Sequence, residues 1–275
     1  MELKSTRYAV RERIATVTLH RPDRMNAWTG RMHTEYRWLL QQAEDDPAVR
    51  AIIVTGAGRA FCAGADTKAL EGHVEKGGYD PGTPAELAEP GYGVRPEFDA
   101  FFAWHFGLTK PVIAAINGAA AGVGFALACY ADLRFAAAGA KLTTAHGRLN
   151  LPAEYGLSWL LPRMIGLTRA NDLLLTSRRF LAEEALELGL VNAVLPAEIL
   201  MDEVRVRVTD MIDAIAPGSL AATRRQIYTD LHRSVAESVV DSERLLERMM
   251  REPDFAEGVA ALMEKRTPRW GSRRD

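Results

Sequence analysis

The stretch from Lys110 to Gly124, KPVIAAINGAAAGVG, runs from an apolar segment into a loop of small residues. Val112 to Ile116 are apolar and stand between a proline and Asn117-Gly118, which is typical of a short buried strand. The residues that follow, AAAGVGFALACYAD, have side chains small enough for a helix to pack closely on a sheet. The stretch therefore predicts a strand, a small-residue loop and a helix of an α/β core.

A unit of the same kind precedes this one. Residues 14–19 (IATVTL) predict a strand that ends before Pro22, and apolar residues at helical spacing beyond Thr29 predict an amphipathic helix. Residues 49–55 (VRAIIVT) predict a buried strand that leads into the loop 56–66, GAGRAFCAGAD. A strand, a helix and a strand in this order favour a right-handed crossover.

The rest of the chain continues the α/β pattern. Residues 98–108 predict an apolar helix, and short strands are predicted at 133–136, 141–143 and 191–194. From Ser158 onward the pattern is mostly helical, with amphipathic helices to about Leu262. Glycine and proline interrupt every period between residues 72 and 96, which predicts a mobile flap, because the α/β pattern resumes beyond it.

Composition excludes several classes of protein. The chain has 275 residues, with 34 Lys and Arg against 36 Asp and Glu, so its formal net charge is −2 and we expect no nucleic-acid partner. No apolar run approaches the roughly 20 residues that a membrane helix needs, and residues 1–10 contain no apolar signal segment. Cys62 and Cys129 lack disulfide or metal-site spacing, so we expect reduced thiols, no metal and a cytoplasmic protein.

Two small-residue loops are the candidate functional elements. The sequence has no G-x-S-x-G, H-E-x-x-H or P-loop motif, and Leu127 stands where a dinucleotide fingerprint needs its third glycine. The loops 61–66 (FCAGAD) and 117–124 (NGAAAGVG) each follow a predicted strand. Such loops let backbone N–H groups face developing negative charge, but for either loop alone tight turns and close packing are the favoured interpretation.

Five motifs, in this order along the chain, resemble the crotonase (enoyl-CoA hydratase/isomerase) superfamily. They are His20–Ala27 (HRPDRMNA), Arg59–Asp66, Lys110–Gly118 (KPVIAAING), Ala185–Val194 (ALELGLVNAV), and Glu257-Gly258 followed by Glu264–Pro268 (EKRTP). The resemblance implies an α/β fold of the crotonase-like (ClpP/crotonase) type, a spiral of ββα units. Residues 1–195 would form the spiral core with the acyl-CoA site, and residues 196–275 a C-terminal helical trimerisation region.

The resemblance also implies the partners. The expected substrate is an acyl-CoA thioester, with no metal or redox cofactor, since CoA is part of the substrate. The expected assembly is a homotrimer or a homohexamer. The helices beyond Asp202 favour association, because they carry more apolar positions than a surface layer needs: Val206, Met211, Ile215, Leu220, Leu245, Leu246, Met249 and Met250.

Carried onto this sequence, the family's oxyanion hole consists of the backbone N–H groups of Ala65 and Val123. Two such donors are needed because proton transfer next to a thioester carbonyl places negative charge on its oxygen. Val123 replaces a glycine common in the family. The backbone N–H donor remains, but the larger side chain leaves less room for substrate. By the same resemblance, the CoA contacts fall on Arg24, Ala27, Arg59, Ala63, Ala65, Thr67 and Lys68, with Lys265 or Arg266 as less certain basic contributors.

The acid and base residues depart from the hydratase pattern. The two glutamates of family hydratases fall on Ala126 and His146, so neither carboxylate is present. Glu154, in LPAEYG, stands in a setting where some isomerase-like and dehalogenase-like members carry an acidic residue, and we predict it to be the general acid or base. A solvated loop glutamate is the alternative. His146 either relays a proton or is a hydrogen-bonded structural group, and the latter is favoured.

Other polar and aromatic residues receive structural interpretations. Asp66 is expected to cap the helix after its loop, and Trp104 and Trp159 to lie in the core or the acyl-pocket wall. Tyr155 is a possible substrate contact through its neighbour Glu154.

The leading functional hypothesis is an acyl-CoA enzyme of the enoyl-CoA hydratase/isomerase type that stabilises a thioester enolate. One main carboxylate fits double-bond isomerisation better than hydration, because one base can take a proton from one carbon and return it to another. The alternative is a non-catalytic CoA-thioester binding protein that retains the fold. An RNA-binding role, known for some relatives, has little support at this net charge.

Overall fold

The structure is a computed structural model that describes residues 1–67, 71 and 94–271. Most of the flap predicted between residues 72 and 96 lies outside these residues, and so does Lys68. The strands are β1 (Thr6–Arg11), β2 (Ile14–Leu19), β3 (Ala51–Gly56), β4 (Ala60–Cys62), β5 (Val112–Ile116), β6 (Ala119–Ala121), β7 (Leu133–Ala137), β8 (Lys141–Thr143), β9 (Phe180–Leu181) and β10 (Ala193–Leu195).

The helices fall mainly in the second half of the described chain. They are α1 (Gly30–Asp45), α2 (Val123–Cys129), α3 (Leu157–Ile165), α4 (Leu167–Thr176), α5 (Ala182–Leu188), α6 (Leu200–Ala214), α7 (Pro217–Asp230), α8 (Val235–Met249) and α9 (Pro253–Glu264). Among the residues described, no helix combines the length and apolar character needed to cross a membrane.

The chain alternates between two sheets. The larger sheet has the order β1-β2-β3-β5-β7-β10, and the smaller has β4-β6-β8-β9. From β3 to β8, each consecutive strand therefore enters the other sheet. In the larger sheet, β1 and β2 pair antiparallel, whereas the pairs from β2 through β3, β5 and β7 are parallel. This alternation is the predicted spiral of ββα units, and the α/β class and crotonase-like fold are confirmed.

Local sequence explains the first crossover. Thr29 caps α1, because its Oγ1 accepts the N–H of Met32 at 3.1 Å. One face of the helix buries Met32, Tyr36, Leu39, Leu40 and Ala43, the helical spacing seen in the sequence. Every residue of β3 and β5 is buried, as expected for parallel strands covered on both faces.

The prediction of an apolar helix at 98–108 is wrong. The chain instead forms two 3₁₀ segments, Pro96–Phe98 and Ala103–Gly107. Phe102 separates them with φ of 59°, a left-handed conformation that no α-helix can contain. The strand predicted at 191–194 begins two residues later, at Ala193.

The C-terminal helices are joined to the sheets by apolar packing and by one buried ion pair. Helix α6 buries Leu200, Val204, Val208 and Ile212 and contacts β5 and β7. Arg224 on α7 pairs with Asp132 at 2.8 Å, where the side chains of both residues are largely buried. Asp132 also accepts the N–H of Val112 and the hydroxyl of Tyr228, both at 2.6 Å, so three donors satisfy its carboxylate.

We expect Asp132→Asn to lower the free energy of unfolding by about 3–5 kcal/mol, because it leaves the buried Arg224 guanidinium without its counter-charge. Urea denaturation measures the change. Glu203→Gln is the matched control, since Glu203 forms only a long, exposed pair with Arg207, and it should change stability by less than about 0.5 kcal/mol. Equal effects of the two substitutions would contradict the role assigned to Asp132.

Candidate active site

The two candidate oxyanion donors follow neighbouring parallel strands. Strands β4 and β6 pair in parallel, and Cys62 lies opposite Ala120. Ala65 and Val123 each come three residues after one member of that pair. The two loops therefore leave the smaller sheet at the same edge, which brings together the two motifs that the sequence presents far apart.

Backbone pairing orients the first donor. Trp28 donates its N–H to Gly64 O at 2.8 Å, and Asp66 donates its N–H to Trp28 O at 2.9 Å. Because N–H groups alternate sides along an extended chain, the N–H of Ala65 points away from Trp28. Gly64 has φ of 112°, a conformation that side chains disfavour.

The second donor belongs to the first turn of α2. Val123 is the first residue of that helix, where N–H groups have no intrahelical acceptor. Gly122, with φ of 50°, precedes it and donates its own N–H to Thr143 O at 3.1 Å. In the described part of the chain, neither Ala65 nor Val123 donates its N–H to another backbone group.

Glu154 begins a 3₁₀ segment, Glu154–Gly156, that contacts α2. The Tyr130 hydroxyl, one residue past the end of α2, donates to Tyr155 O at 2.6 Å and holds the segment there. Glu154 is half-buried, and among the residues that the structure describes its carboxylate has no hydrogen bond or ion pair. Burial raises the pKa of this carboxyl above its ordinary value of 4.5.

His146 is buried beside the second loop. Ala145, with φ of 60°, precedes it, and the segment touches the loop through the bond between Gly122 and Thr143. The backbone N–H and C=O of His146 are both hydrogen-bonded, but within the described chain its ring Nδ1 has no partner. The ring therefore lacks, at Nδ1, the hydrogen bond expected of a purely structural histidine. Ala126, the other substituted hydratase position, is fully buried in α2.

The loop after β2 lies against the first oxyanion loop. Ala63 donates its N–H to Met25 O at 3.0 Å, and the Asn26 amide donates to Ala57 O and Ala60 O at 2.9 and 2.7 Å. These bonds bring together most of the residues assigned to CoA. Arg24, Arg59, Ala63 and Thr67 are exposed, Ala27 is half-buried, and Lys68 lies outside the described residues.

Sequence reasoning missed the residues that hold this arrangement. Asn26 is fully buried with φ of 55°, a left-handed conformation that asparagine tolerates well. Arg21 donates to Ala27 O at 2.6 Å and pairs with Asp66 at 2.8 Å. The sequence signal that could have identified Arg21 and Asn26 was their place in the HRPDRMNA motif. The helix that Asp66 was expected to cap lies mostly outside the described residues.

Other predicted positions have structural surroundings. Arg266 pairs with Glu257 and Glu264 at 2.6 and 2.5 Å, so carboxylates of its own chain already engage this cation. Trp104 is fully buried in the core, and Trp159 stacks on His232 with ring centroids 5.5 Å apart. One cavity of about 740 Å³ lies between the segment 95–109 and the C-terminal helices, and another of about 630 Å³ lies among those helices; neither is lined by Ala65 or Glu154.

Comparisons with known proteins agree on one family. A family model described as "Enoyl-CoA hydratase/isomerase" matches residues 9–273. The chain is 34% identical to 1,2-epoxyphenylacetyl-CoA isomerase of Escherichia coli K12 over 262 residues, which covers 95% of this chain and 96% of that protein. It is 37% identical to the probable enoyl-CoA hydratase EchA12 of Mycobacterium tuberculosis H37Rv, with coverage of 94% and 89%.

Solved structures give the same result. The crystal structure of a probable enoyl-CoA hydratase/isomerase from Mycobacterium abscessus superposes with a TM-score of 0.85 at 32% identity and covers 98% of this chain and 99% of that one. The fold thus agrees with that of known members.

We expect Glu154→Gln to stabilise the folded protein at neutral pH. Because burial raises the pKa of Glu154 in the folded state, stability falls as pH rises from the ordinary pKa through the raised one. Glutamine removes this penalty, so the variant should exceed wild type in unfolding free energy at pH 7. The difference should vanish below about pH 4, where the carboxyl is protonated in both states.

Urea denaturation across this pH range measures the effect, with the exposed Glu187→Gln as control. A Glu154→Gln variant that is no more stable than wild type at pH 7, or a gain that persists unchanged in acid, would contradict the burial assigned to this carboxylate.

Proposed function

Because the chain belongs to the enoyl-CoA hydratase/isomerase family, we propose that it is an enzyme that moves protons on acyl-CoA thioesters, with double-bond isomerisation as its reaction. One observation carries the choice of reaction. Glu154 is a half-buried carboxylate without a partner among the described residues, on a segment that contacts α2, whereas alanine and histidine occupy the two hydratase positions, 126 and 146.

The proposed reaction needs one base and one anion site. The thioester oxygen of a 3-enoyl-CoA accepts hydrogen bonds from the N–H groups of Ala65 and Val123. The Glu154 carboxylate takes a proton from C2. The resulting dienolate carries its charge on the thioester oxygen, where each donor contributes about 10²–10³ in rate. The protonated Glu154 then returns its proton to C4, which yields the 2-enoyl-CoA and restores the carboxylate.

The electrostatics of Glu154 suit this role. A general base works best when its pKa is close to the working pH, and burial moves this carboxyl in that direction. Hydration would require a further group to activate water. Of the two hydratase positions, only 146 carries a titratable side chain, the buried His146. We therefore assign His146 a secondary role. The reaction as proposed requires no metal or redox cofactor.

The exposed cations of the two loops support CoA binding. Arg24 and Arg59 lie on loops that Asn26 ties together, so both can approach the phosphates of one CoA molecule. A non-catalytic CoA-thioester binding protein would use the same loops. That alternative is favoured by Ala126 and opposed by the half-buried Glu154.

We expect Glu154→Gln to keep thioester affinity and to lower turnover by about 10²–10⁴, because glutamine preserves shape but cannot accept the proton. Calorimetry with acetyl-CoA measures binding, and conversion of 3-hexenoyl-CoA in D₂O measures turnover and deuterium entry. His146→Ala should have the smaller effect on turnover.

The outcomes separate the alternatives. Wild-type turnover in Glu154→Gln would overturn the assignment of the base. Binding without any conversion, hydration or exchange across several chain lengths would favour the binding-protein alternative. No saturable heat with a folded protein would overturn the proposal itself, and faster hydration of crotonyl-CoA than isomerisation would identify a hydratase.

We further propose that the chain assembles as a trimer or hexamer through its C-terminal helices. Several large apolar side chains of α8 and α9 are exposed in the single chain, among them Leu246 at 60%, Leu262 at 78% and Met263 at 78%. Light scattering should give three or six times the chain mass of 30.3 kDa. A monomer at micromolar concentration would contradict this proposal.

A further inference from the structure

Five aromatic side chains pack in a continuous cluster between Trp28, whose backbone pairs with the first oxyanion loop, and Tyr155, which follows the candidate base. We call this cluster the aromatic wall and define it as Trp28, His33, Phe101, Phe102 and Tyr155. Its ring centroids lie 6.1 Å apart for Trp28 and His33, 4.5 Å for His33 and Phe101, and 5.2 Å for Phe101 and Tyr155. The last two pairs are stacked, with interplanar angles of 11° and 27°.

The two end residues of the wall are neighbours of the two chemical groups of the site. Trp28 pairs with the backbone on both sides of Ala65, and Tyr155 directly follows Glu154. Phe102 gives a second, parallel connection, with its ring 5.6 Å from that of Trp28 and 5.5 Å from that of Tyr155. The backbone of Trp28 therefore lies beside the candidate donor Ala65, and the ring of Tyr155 belongs to the residue next to the candidate base.

The wall is held in a fixed conformation. Phe102 has φ of 59°, an outlier for a bulky residue that surrounding structure must enforce. His105 stabilises this conformation, because its Nδ1–H donates to Phe102 O. Its Nε2 accepts a hydrogen bond from the Tyr36 hydroxyl at 2.8 Å. Burial lowers the pKa of His105 to about 3, so the ring is neutral and this tautomer is fixed. Arg224 holds the carbonyl of His105 at 2.6 Å.

Only part of the wall is accessible. Trp28, His33 and Phe102 are almost fully buried, whereas Phe101 and Tyr155 are half-exposed. Burial also lowers the pKa of His33 to about 4, so the imidazole that stacks on Phe101 is uncharged at neutral pH. The accessible part of the wall, Phe101 and Tyr155, is thus aromatic, and Phe101 rests on an uncharged imidazole.

We propose that the aromatic wall selects thioesters whose acyl group carries a ring, and that Phe101 is the specificity-determining residue. The inference rests on the function proposed above and names its substrate class. A planar ring can stack or meet edge-to-face with Phe101 and Tyr155, contacts that stabilise beyond the burial of equal apolar area. A flexible alkyl chain gains no such term and loses more rotational freedom on binding.

Two unreactive thioesters with nine acyl carbons each, 3-phenylpropanoyl-CoA and nonanoyl-CoA, test the proposal by calorimetry. We expect wild type to bind the aryl thioester at least threefold more tightly, although the alkyl chain is the more apolar group. Phe101→Leu should weaken the aryl thioester about threefold to tenfold and change the alkyl thioester less than twofold. Tyr8→Leu, which removes a half-exposed ring on the edge strand β1, should change neither affinity.

A second variant tests the proposal if Phe101→Leu does not fold. Tyr155→Asn removes the other accessible ring and keeps a residue that tolerates the φ of 55° found there, so it should shift the preference in the same direction. Equal affinities in wild type, or equal losses for both thioesters in folded variants, would overturn the selectivity of the wall. Binding of neither thioester by folded wild type would instead overturn the proposed function.

Discussion

A Cβ atom on Gly124 would lie 2.2 Å from the carbonyl oxygen of Cys62, so the first turn of α2 rests directly on the backbone of β4. This contact exists because no side chain separates the helix from the strand. It sets the distance between the loops after β4 and β6, and those loops carry Ala65 and Val123. The position of both candidate oxyanion donors therefore depends on backbone packing that any larger residue would disrupt.

The same site concentrates unusual backbone conformations. Gly64 and Gly122, which precede the two donors, have positive φ. Ala145, before His146, and Tyr155, after Glu154, also have positive φ. Non-glycine residues in this region are disfavoured, so their neighbours must hold them in place. Tyr155 is held by the Tyr130 hydroxyl, which links the candidate base to the end of the helix that begins at Val123.

The C-terminal helices contribute to this arrangement at a distance. Arg224 on α7 pairs with Asp132 and donates to the carbonyls of His105, Phe106 and Leu108. Those carbonyls belong to the 3₁₀ segment Ala103–Gly107 and to Leu108, directly after it, and the segment follows Phe102, the centre of the aromatic wall. One buried guanidinium thus fixes the C-terminal helices and the segment beneath the proposed acyl surface, and only a fully bonded cation is tolerated in such a position.

Much of this protein was readable from the sequence. The apolar strand at 112–116, the small residues of 119–124 and the five ordered motifs predicted the fold and the positions of both loops, because strand burial and close packing are local properties of residue type. The helix predicted at 98–108 failed because apolar spacing cannot reveal the positive φ of Phe102, which contacts with Trp28, His105 and Tyr155 enforce. Burial of Glu154, the lack of a partner for His146 Nδ1 among the described residues, the bonds made by Asn26 and the aromatic wall were likewise decided only by the tertiary structure. Each depends on residues that are distant in the sequence, because the local sequence does not specify which neighbours surround a side chain.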